Sequence, residues 1–212
     1  MGWTLKPGVS FCIADRQLIF LKLDEDRYVR PGAALNMRAL GWLATGGADD
    51  APPPVPLRHS LLEWADGPSP FPAPAMHAPA TEALAIPRTA QCGTAPAAAA
   101  ALLRARLEVV TRPLARILET RQLRSPAPRV RAPMNDDASR FGGARAWLPM
   151  KRRCLPDSLA LFDHLTARGH RPTLLFGVVP EPFAAHCWVQ HDGTLLNDSL
   201  DTISRFTPIL VL

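Results

Sequence analysis

The chain has 212 residues, 47% of them hydrophobic, enough to fill one core or two small ones. Its 24 basic and 19 acidic residues leave a formal charge of +5, which suits an anionic partner, a nucleic acid or an anionic membrane surface without choosing among them. No apolar run reaches the length of a membrane span, and the start MGWTLKPGVSF lacks the basic head, apolar stretch and cleavage site of a signal peptide, so a reducing cytoplasm is the expected compartment.

Val9 to Ala14 and Leu18 to Leu23 are apolar, β-prone runs whose connection, Asp15-Arg16-Gln17, predicts a hairpin. A short third strand, Arg27-Tyr28-Val29-Arg30, follows the turn at Asp24-Glu25-Asp26, and Pro31-Gly32 ends it. Ala33 to Ala44 has helical composition, with Leu35, Leu40 and Leu43 among its apolar residues, and Gly46-Gly47 stops it. Residues 48–56 read as a proline-rich loop and Leu57 to Trp64 as a short helix. Five prolines in 67–80 exclude a continuous helix or a central strand, which points to an interdomain region at 66–98. Within it, Thr81 to Ile86 reads as a helix that the N-terminal unit borrows, which gives a first domain at 1–85, a linker at 86–98 and a second domain at 99–212.

Ala97 to Leu123 is a helical stretch with Leu103, Leu107, Val110, Leu114 and Leu118 near helical spacing, and Pro113 should kink or break it. Eight arginines against two glutamates between Arg104 and Arg131 give a local charge of +6. A solvated helix face is the favoured reading, ahead of a docking surface for an anionic partner. Residues 125–140 read as another loop. Asp157 to Arg168 is a predicted helix with Leu155, Leu159, Phe162 and Leu165 on one side and Gly169 as its stop. Thr173 to Val179 is a buried-type strand, Pro180-Glu181-Pro182 a turn, and Phe183 to Gln190 with Thr194 to Asp198 a hairpin around Asp192-Gly193.

The chemistry concentrates in this last part. Cys154 follows Lys151-Arg152-Arg153 and opens a helix, where the dipole and three cations should lower its pKa. An unpaired cysteine is more often a buried structural residue, but basic flanks and a helix start favour a nucleophile. Strand alternation sets Ala184, His186, Trp188 and Gln190 on one face and Phe183, Ala185, Cys187 and Val189 on the other. A lone strand histidine is usually packed or exposed, so the case for His186 as a base depends on Asp198. A two-residue loop would pair 187 with 198 and turn Asp198 to the wrong face. A three-residue loop over 191–193, with Gly193 in a G1 bulge, sets 186 opposite 198. Asp198 as an end-of-strand cap beside Ser199 is the competing reading. Cysteine, histidine and aspartate so arranged are a nucleophile, a base and an orienting acid for attack on an amide. Trp188 reads as core or as a wall over the site, and Cys187 as structural. Cys12 and Cys92 have no evident partner, and the four cysteines contain no CxxC pair. His59, His77, His164, His170 and His191 lack metal-ligand spacing, so no metal site is expected. No GxxxxGK[ST] loop is present, so no motif binds a nucleotide cofactor.

The run Cys154-Leu-Pro-Asp-Ser-Leu-Ala-Leu, then Gly169, Leu174-Leu-Phe-Gly-Val, Pro182-Phe-Ala-Ala-His-Cys-Trp-Val and Asn197-Asp198 closely resembles the lasso peptide maturation proteases. These are the B proteins of lasso peptide clusters, in the transglutaminase-like cysteine protease superfamily. The resemblance covers about residues 140–212 and implies a papain-like domain with Cys154, His186 and Asp198 as its catalytic residues. It implies removal of a leader from a precursor peptide in the cytoplasm. An asparagine synthetase-like partner then closes the lactam, and ATP dependence is expected by resemblance to the microcin J25 system. The front third is similar to the winged-helix-like leader-recognition unit of such systems, with three strands and helices, giving an α+β chain of fused recognition and protease parts. The leader would add as a strand at Arg27, Tyr28, Val29 and Arg30. The competing readings are a nucleic-acid-binding winged-helix protein with an inert cysteine centre and a scaffold that presents the leader to another enzyme. The basic residues lie in 104–131 and not in a recognition helix, which argues against nucleic acid.

Overall fold

The computed structural model describes residues 2–45, 52–66, 78–83, 95–126 and 132–212. Its N-terminal part holds two small antiparallel sheets. β1 (Gly2–Leu5) pairs with β5 (Leu62–Ala65), while β2 (Val9–Ala14), β3 (Gln17–Lys22) and β4 (Arg27–Val29) lie side by side in that order. Asp15 and Arg16 both take positive φ, 46° and 63°, the geometry of a two-residue hairpin loop that matches strand twist. Gln17 is therefore the first residue of β3, opposite Ala14, and not part of the turn.

One face of the three-stranded sheet, through Phe11, Leu18 and Phe20, packs on α1 (Ala33–Ala44) and α2 (Val55–Ser60), burying Ala39, Trp42 and Leu57. Asn36 ties helix to hairpin: its Oδ1 accepts from the Leu18 N–H at 2.8 Å and its Nδ2 donates to the Arg16 carbonyl at 2.9 Å. The predicted helix over Leu57 to Trp64 is earlier and shorter, because Leu62–Ala65 pairs with β1 and Trp64 packs edge-on against Trp3, ring centroids 5.4 Å apart. The other face, through Cys12, Ala14, Ile19 and Leu21, is buried in the same core as the C-terminal helices.

The C-terminal part is a mixed sheet in the order β10 (Thr207–Val211), β7 (Thr173–Val179), β8 (Ala184–His191), β9 (Thr194–Leu195), β6 (Thr81–Glu82). Thr81 and Glu82 are a strand parallel to β9, not the expected helix, and residues 84–86 of that expectation lie outside the described residues. Four helices accompany the sheet: α3 (Ala95–Thr111), α4 (Leu114–Gln122), α5 (Met134–Ala146) and α6 (Cys154–Thr166); a short α7 (Leu200–Ile203) precedes β10. Pro113 separates α3 from α4, as its missing N–H and fixed φ require. The loop expected over 125–140 is in fact half helix. α5 starts after Pro133, carries Asp136 and Asp137 in its first turn, where they complement the dipole, and buries Ala138, Phe141 and Ala144.

The arginine run is only partly a solvated face: Arg112 and Arg116 are exposed, whereas Arg121 is buried. Asp163 of α6, 4% exposed, accepts from Arg121 at 2.7 Å, Arg124 at 2.9 Å and Arg104 at 3.4 Å, and Arg121 also binds Glu108 at 2.8 Å. A buried carboxylate holds such cations by hydrogen bonds as much as by charge. Among the described residues, no helix is long and apolar enough to cross a membrane.

Candidate active site

Cys154 is the first residue of α6. Arg153 caps the helix with extended backbone, and Pro156 in the first turn forfeits no intrahelical bond. The segment before it is pinned by Arg145, nearly buried on α5. Arg145 donates to the carbonyls of Met150 at 2.9 Å and Lys151 at 3.3 Å and to Asp157 at 3.2 Å. Arg106 of α3 donates to the same Lys151 carbonyl. This leaves the sulfur exposed while fixing its backbone.

His186 lies in β8 opposite Gly177 of β7. Its ring packs against Phe206, centroids 5.0 Å apart, and stacks on Trp188 at 6.1 Å. Trp188 is fully buried, and its indole crosses Gly177 so closely that a Cβ there would lie 2.7 Å from the ring. Only a glycine leaves room for this layer.

His186 Nε2 and Asp198 Oδ2 are 2.5 Å apart. The route differs from the expected three-residue loop. Asp192 and Gly193, with φ of 44° and 78°, make a two-residue loop, and Gln190 pairs with Leu195 and His191 with Thr194. Continued in that register, Asp198 would face residue 187. The strand instead ends at Leu195. The Leu196 N–H still reaches the Val189 carbonyl at 2.9 Å, but the Val189 N–H goes to the Asn197 side chain at 2.8 Å. Asn197 thus takes the place of the next backbone carbonyl, and the chain leaves the ladder in time to swing Asp198 toward His186. Asn197 also donates to Ser158 Oγ at 2.8 Å, which in turn donates to the Cys187 carbonyl at 2.8 Å. Sequence reasoning missed this lock between α6 and β8; its one visible signal was Asn197 itself, next to the aspartate.

The charges follow from these contacts. A hydrogen bond with His186 holds the Cys154 thiol below its ordinary range. Partial burial pushes it the other way, and the N–H groups of Cys187 and Leu155 assist the lowering. The three flanking cations are exposed, and the imidazole, not they, supplies the main effect. His186 is raised to about 9, first by its bond to Asp198 and then by that to Cys154. For Asp198, burial is the largest influence and acts upward. The bonds from His186, the Ser199 N–H and the Thr202 hydroxyl outweigh it and hold the carboxyl below its usual range. Together these describe a thiolate beside an imidazolium braced by a carboxylate.

Cys187 is fully buried beneath β8 and its thiol is pushed up by burial, as is Cys12, to about 12, so neither competes as a nucleophile. Cys92 and His77 lie outside the described residues. His170 binds Asp137 at 3.0 Å and His164 packs on Phe141, so both serve the helical core. Among the described residues no group of three or more His, Cys, Asp or Glu side chains could hold a metal ion.

The β4 segment has one backbone edge without a strand partner in its sheet. Arg27 is exposed and Val29 packs on the N-terminal core. Tyr28 and Arg30 turn toward the β7–β8 turn. Tyr28 meets the Phe183 ring at 5.5 Å, and Arg30 lies over that ring at 5.0 Å and donates to the Pro180 carbonyl at 2.9 Å.

A family model described as the transglutaminase-like superfamily matches residues 99–211. No curated protein and no solved structure matches the chain.

Proposed function

Because the chain belongs to the transglutaminase-like superfamily, we propose that it is a cysteine peptidase, and in particular the leader peptidase of lasso peptide biosynthesis. The observation that carries this reading is the His186 Nε2–Asp198 Oδ2 contact at 2.5 Å, with Cys154 at the start of α6 and the same imidazole as the leading influence that lowers its thiol. The Cys154 thiolate adds to the carbonyl of the last leader residue; a C–S bond forms and the π pair moves to oxygen. The N–H of Cys154, at a helix start, faces this developing charge. Collapse breaks the C–N bond as the His186 imidazolium gives its proton to the departing amine, which is the new core N-terminus. His186, now neutral, takes a proton from water, whose oxygen attacks the thioester. The leader leaves as a carboxylic acid, and thiolate and imidazolium are restored. Asp198 holds the imidazole tautomer throughout.

Leader recognition belongs to the N-terminal sheet, whose β4 edge offers a strand for β-augmentation. A lactam synthetase partner and ATP dependence belong to the same proposal through the resemblance. A nucleic-acid role is disfavoured, since Arg121 is buried against Asp163 and Glu108 and the remaining cations are not gathered on a recognition helix.

The test is to incubate the chain and its Cys154→Ala variant with the precursor peptide encoded beside it, the synthetase-like partner and ATP, and to read product masses. Leader and core appearing with one added water, from the parent alone, is the expected result. Products carrying an amine in place of water would make the enzyme a transferase. Equal processing by the variant would end the assignment of the nucleophile.

A further inference from the structure

A cavity of about 510 Å³ lies behind the aromatic layer that holds His186. Both parts of the molecule wall it: Ile13 of β2, Ile203 and Ser204 at the end of α7, Thr207 of β10, and the rings of Phe206 and Trp188. Those two rings are the ones that pack on the His186 imidazole, at 5.0 and 6.1 Å. The sheet register gives the separation. Pro208 of the cavity wall, Gly177 and His186 stand in one row across β10, β7 and β8. Two strand spacings set the wall about 10 Å from the His186 backbone. The Trp188 indole covers the bare Gly177 between them.

The chemistry of the walls selects an uncharged, apolar ligand. Ser204 and Thr207 bring hydroxyls, and among the described residues no charged side chain lines the cavity. Ile13 is 45% exposed on its rim, while its neighbours Cys12 and Ala14 are buried. Apolar surface kept in water gains from an apolar partner. A cavity of about 150 Å³ already holds a benzene ring, so this one has room for a large side chain. Position selects whose side chain it is. The leader edge, β4, meets the catalytic sheet where Tyr28 packs on Phe183, just before β8. His186 follows in β8, and the cavity lies beyond it, walled by β2, the strand at the opposite edge of the β4 sheet. A peptide with its leader on β4 and its scissile bond at His186 therefore sends its core residues toward the cavity. At about 3.3 Å per extended residue, roughly three residues span the gap.

Resting on the leader peptidase reading, we propose that this cavity is the specificity subsite for one bulky apolar side chain, aromatic or branched, within the first three residues of the core. The N-terminal sheet then serves the substrate at both edges: β4 takes the leader and β2 walls the subsite for the core.

The experiment fills the cavity from its rim. Ser204→Trp and Ile13→Trp, both outside the catalytic centre, are compared with the parent as full chains on the precursor peptide. Three further precursors carry Asp in place of the first, second or third core residue. The rate at which iodoacetamide alkylates Cys154 reports whether the centre is intact. The proposal expects KM to rise about 10- to 100-fold in both variants, the worth of burying one large apolar side chain. Parental kcat and alkylation rate should accompany it, as for a loss of uniform binding. One Asp precursor should show the same rise with the parent enzyme and no further rise with either variant, because both changes remove one contact. Parental KM in both variants would overturn the proposal. So would rises in KM that add in full, or a fall in kcat together with alkylation, which would make the cavity wall a support for His186 alone. All of these outcomes leave cleavage by the parent, and with it the peptidase reading, intact. A parent that alkylates normally and cleaves nothing would end both.

Discussion

The β2–β3 and β8–β9 hairpins turn on the same backbone geometry, a two-residue loop with both residues at positive φ: 46° and 63° at Asp15-Arg16, 44° and 78° at Asp192-Gly193. The first hairpin then runs in unbroken register from Ala14↔Gln17 to Val9↔Lys22. The second holds for Gln190↔Leu195 and His191↔Thr194 and stops. The residues beyond the first pairs separate the two. In β3 the chain offers Leu18, Ile19, Phe20 and Leu21, all buried on one face or the other, and the ladder is the best use of every backbone group. After Leu195 it offers Leu196 and then Asn197, whose side chain substitutes for a backbone carbonyl and releases the strand. A complete ladder builds scaffold. A ladder interrupted by one satisfied polar side chain frees the next residue, Asp198, for chemistry without leaving a buried N–H unpaired.

The largest effect should come from removing the carboxylate that the interruption delivers. Asp198→Ala should lower kcat by about 10³–10⁴-fold in the precursor assay, the scale on which an orienting acid acts. Restoring kcat in that variant by any change outside the His186 contact would speak against the account.

A smaller effect is expected from Asn197→Ala, which strikes the interruption itself. Either the Val189 N–H is left unpaired, at about 1–3 kcal/mol, or the ladder extends and draws Asp198 away from His186. Thermal unfolding and kcat distinguish these. The second outcome should cost about 10²-fold in rate, as a misplacement of roughly 1 Å can. No change in either quantity would mean that Asn197 does not set the register.

The smallest effect sharpens the scaffold side. Arg16→Gly relieves a non-glycine residue at φ 63° and gives Asp-Gly, a favoured pair for this loop. It should stabilise the chain by about 1 kcal/mol in chemical denaturation and leave kcat untouched, because the regular hairpin carries no catalytic group. A change in kcat would show that the two hairpins are coupled.

The residues of the centre were legible because their types and local positions carry the signal. Cysteine at a helix start, histidine in a strand and aspartate past a turn are each visible within a few positions. The path joining the last two was not legible. Strand alternation assumes backbone pairing, and Asn197 replaces it with a side chain. The mixed α+β character was legible from the apolar runs, but α5 was hidden by Pro133 before it and Gly142-Gly143 within it; its helix is held by burial of Phe141 and Ala144. The solvated-face reading missed the roles of Arg104, Arg121 and Arg124 for a related reason. Their common partner, Asp163, lies on α6, far along the chain, and no local pattern announces it. The strand at Thr81–Glu82 likewise depends on β9, more than a hundred residues later.

The most direct test is the pH dependence of Cys154 alkylation by iodoacetamide, with the modified residue identified by mass, in the parent and in Asp198→Asn. The account predicts a reactive thiolate at pH values below the ordinary thiol range in the parent. It also predicts a second change near pH 9, where His186 loses its proton and the ion pair with it. In Asp198→Asn the carboxylate no longer raises His186, so that upper step should move to lower pH. A single titration at the ordinary thiol value, the same in both proteins, would contradict the claim that Asp198, delivered by the broken ladder, poises His186 and through it Cys154.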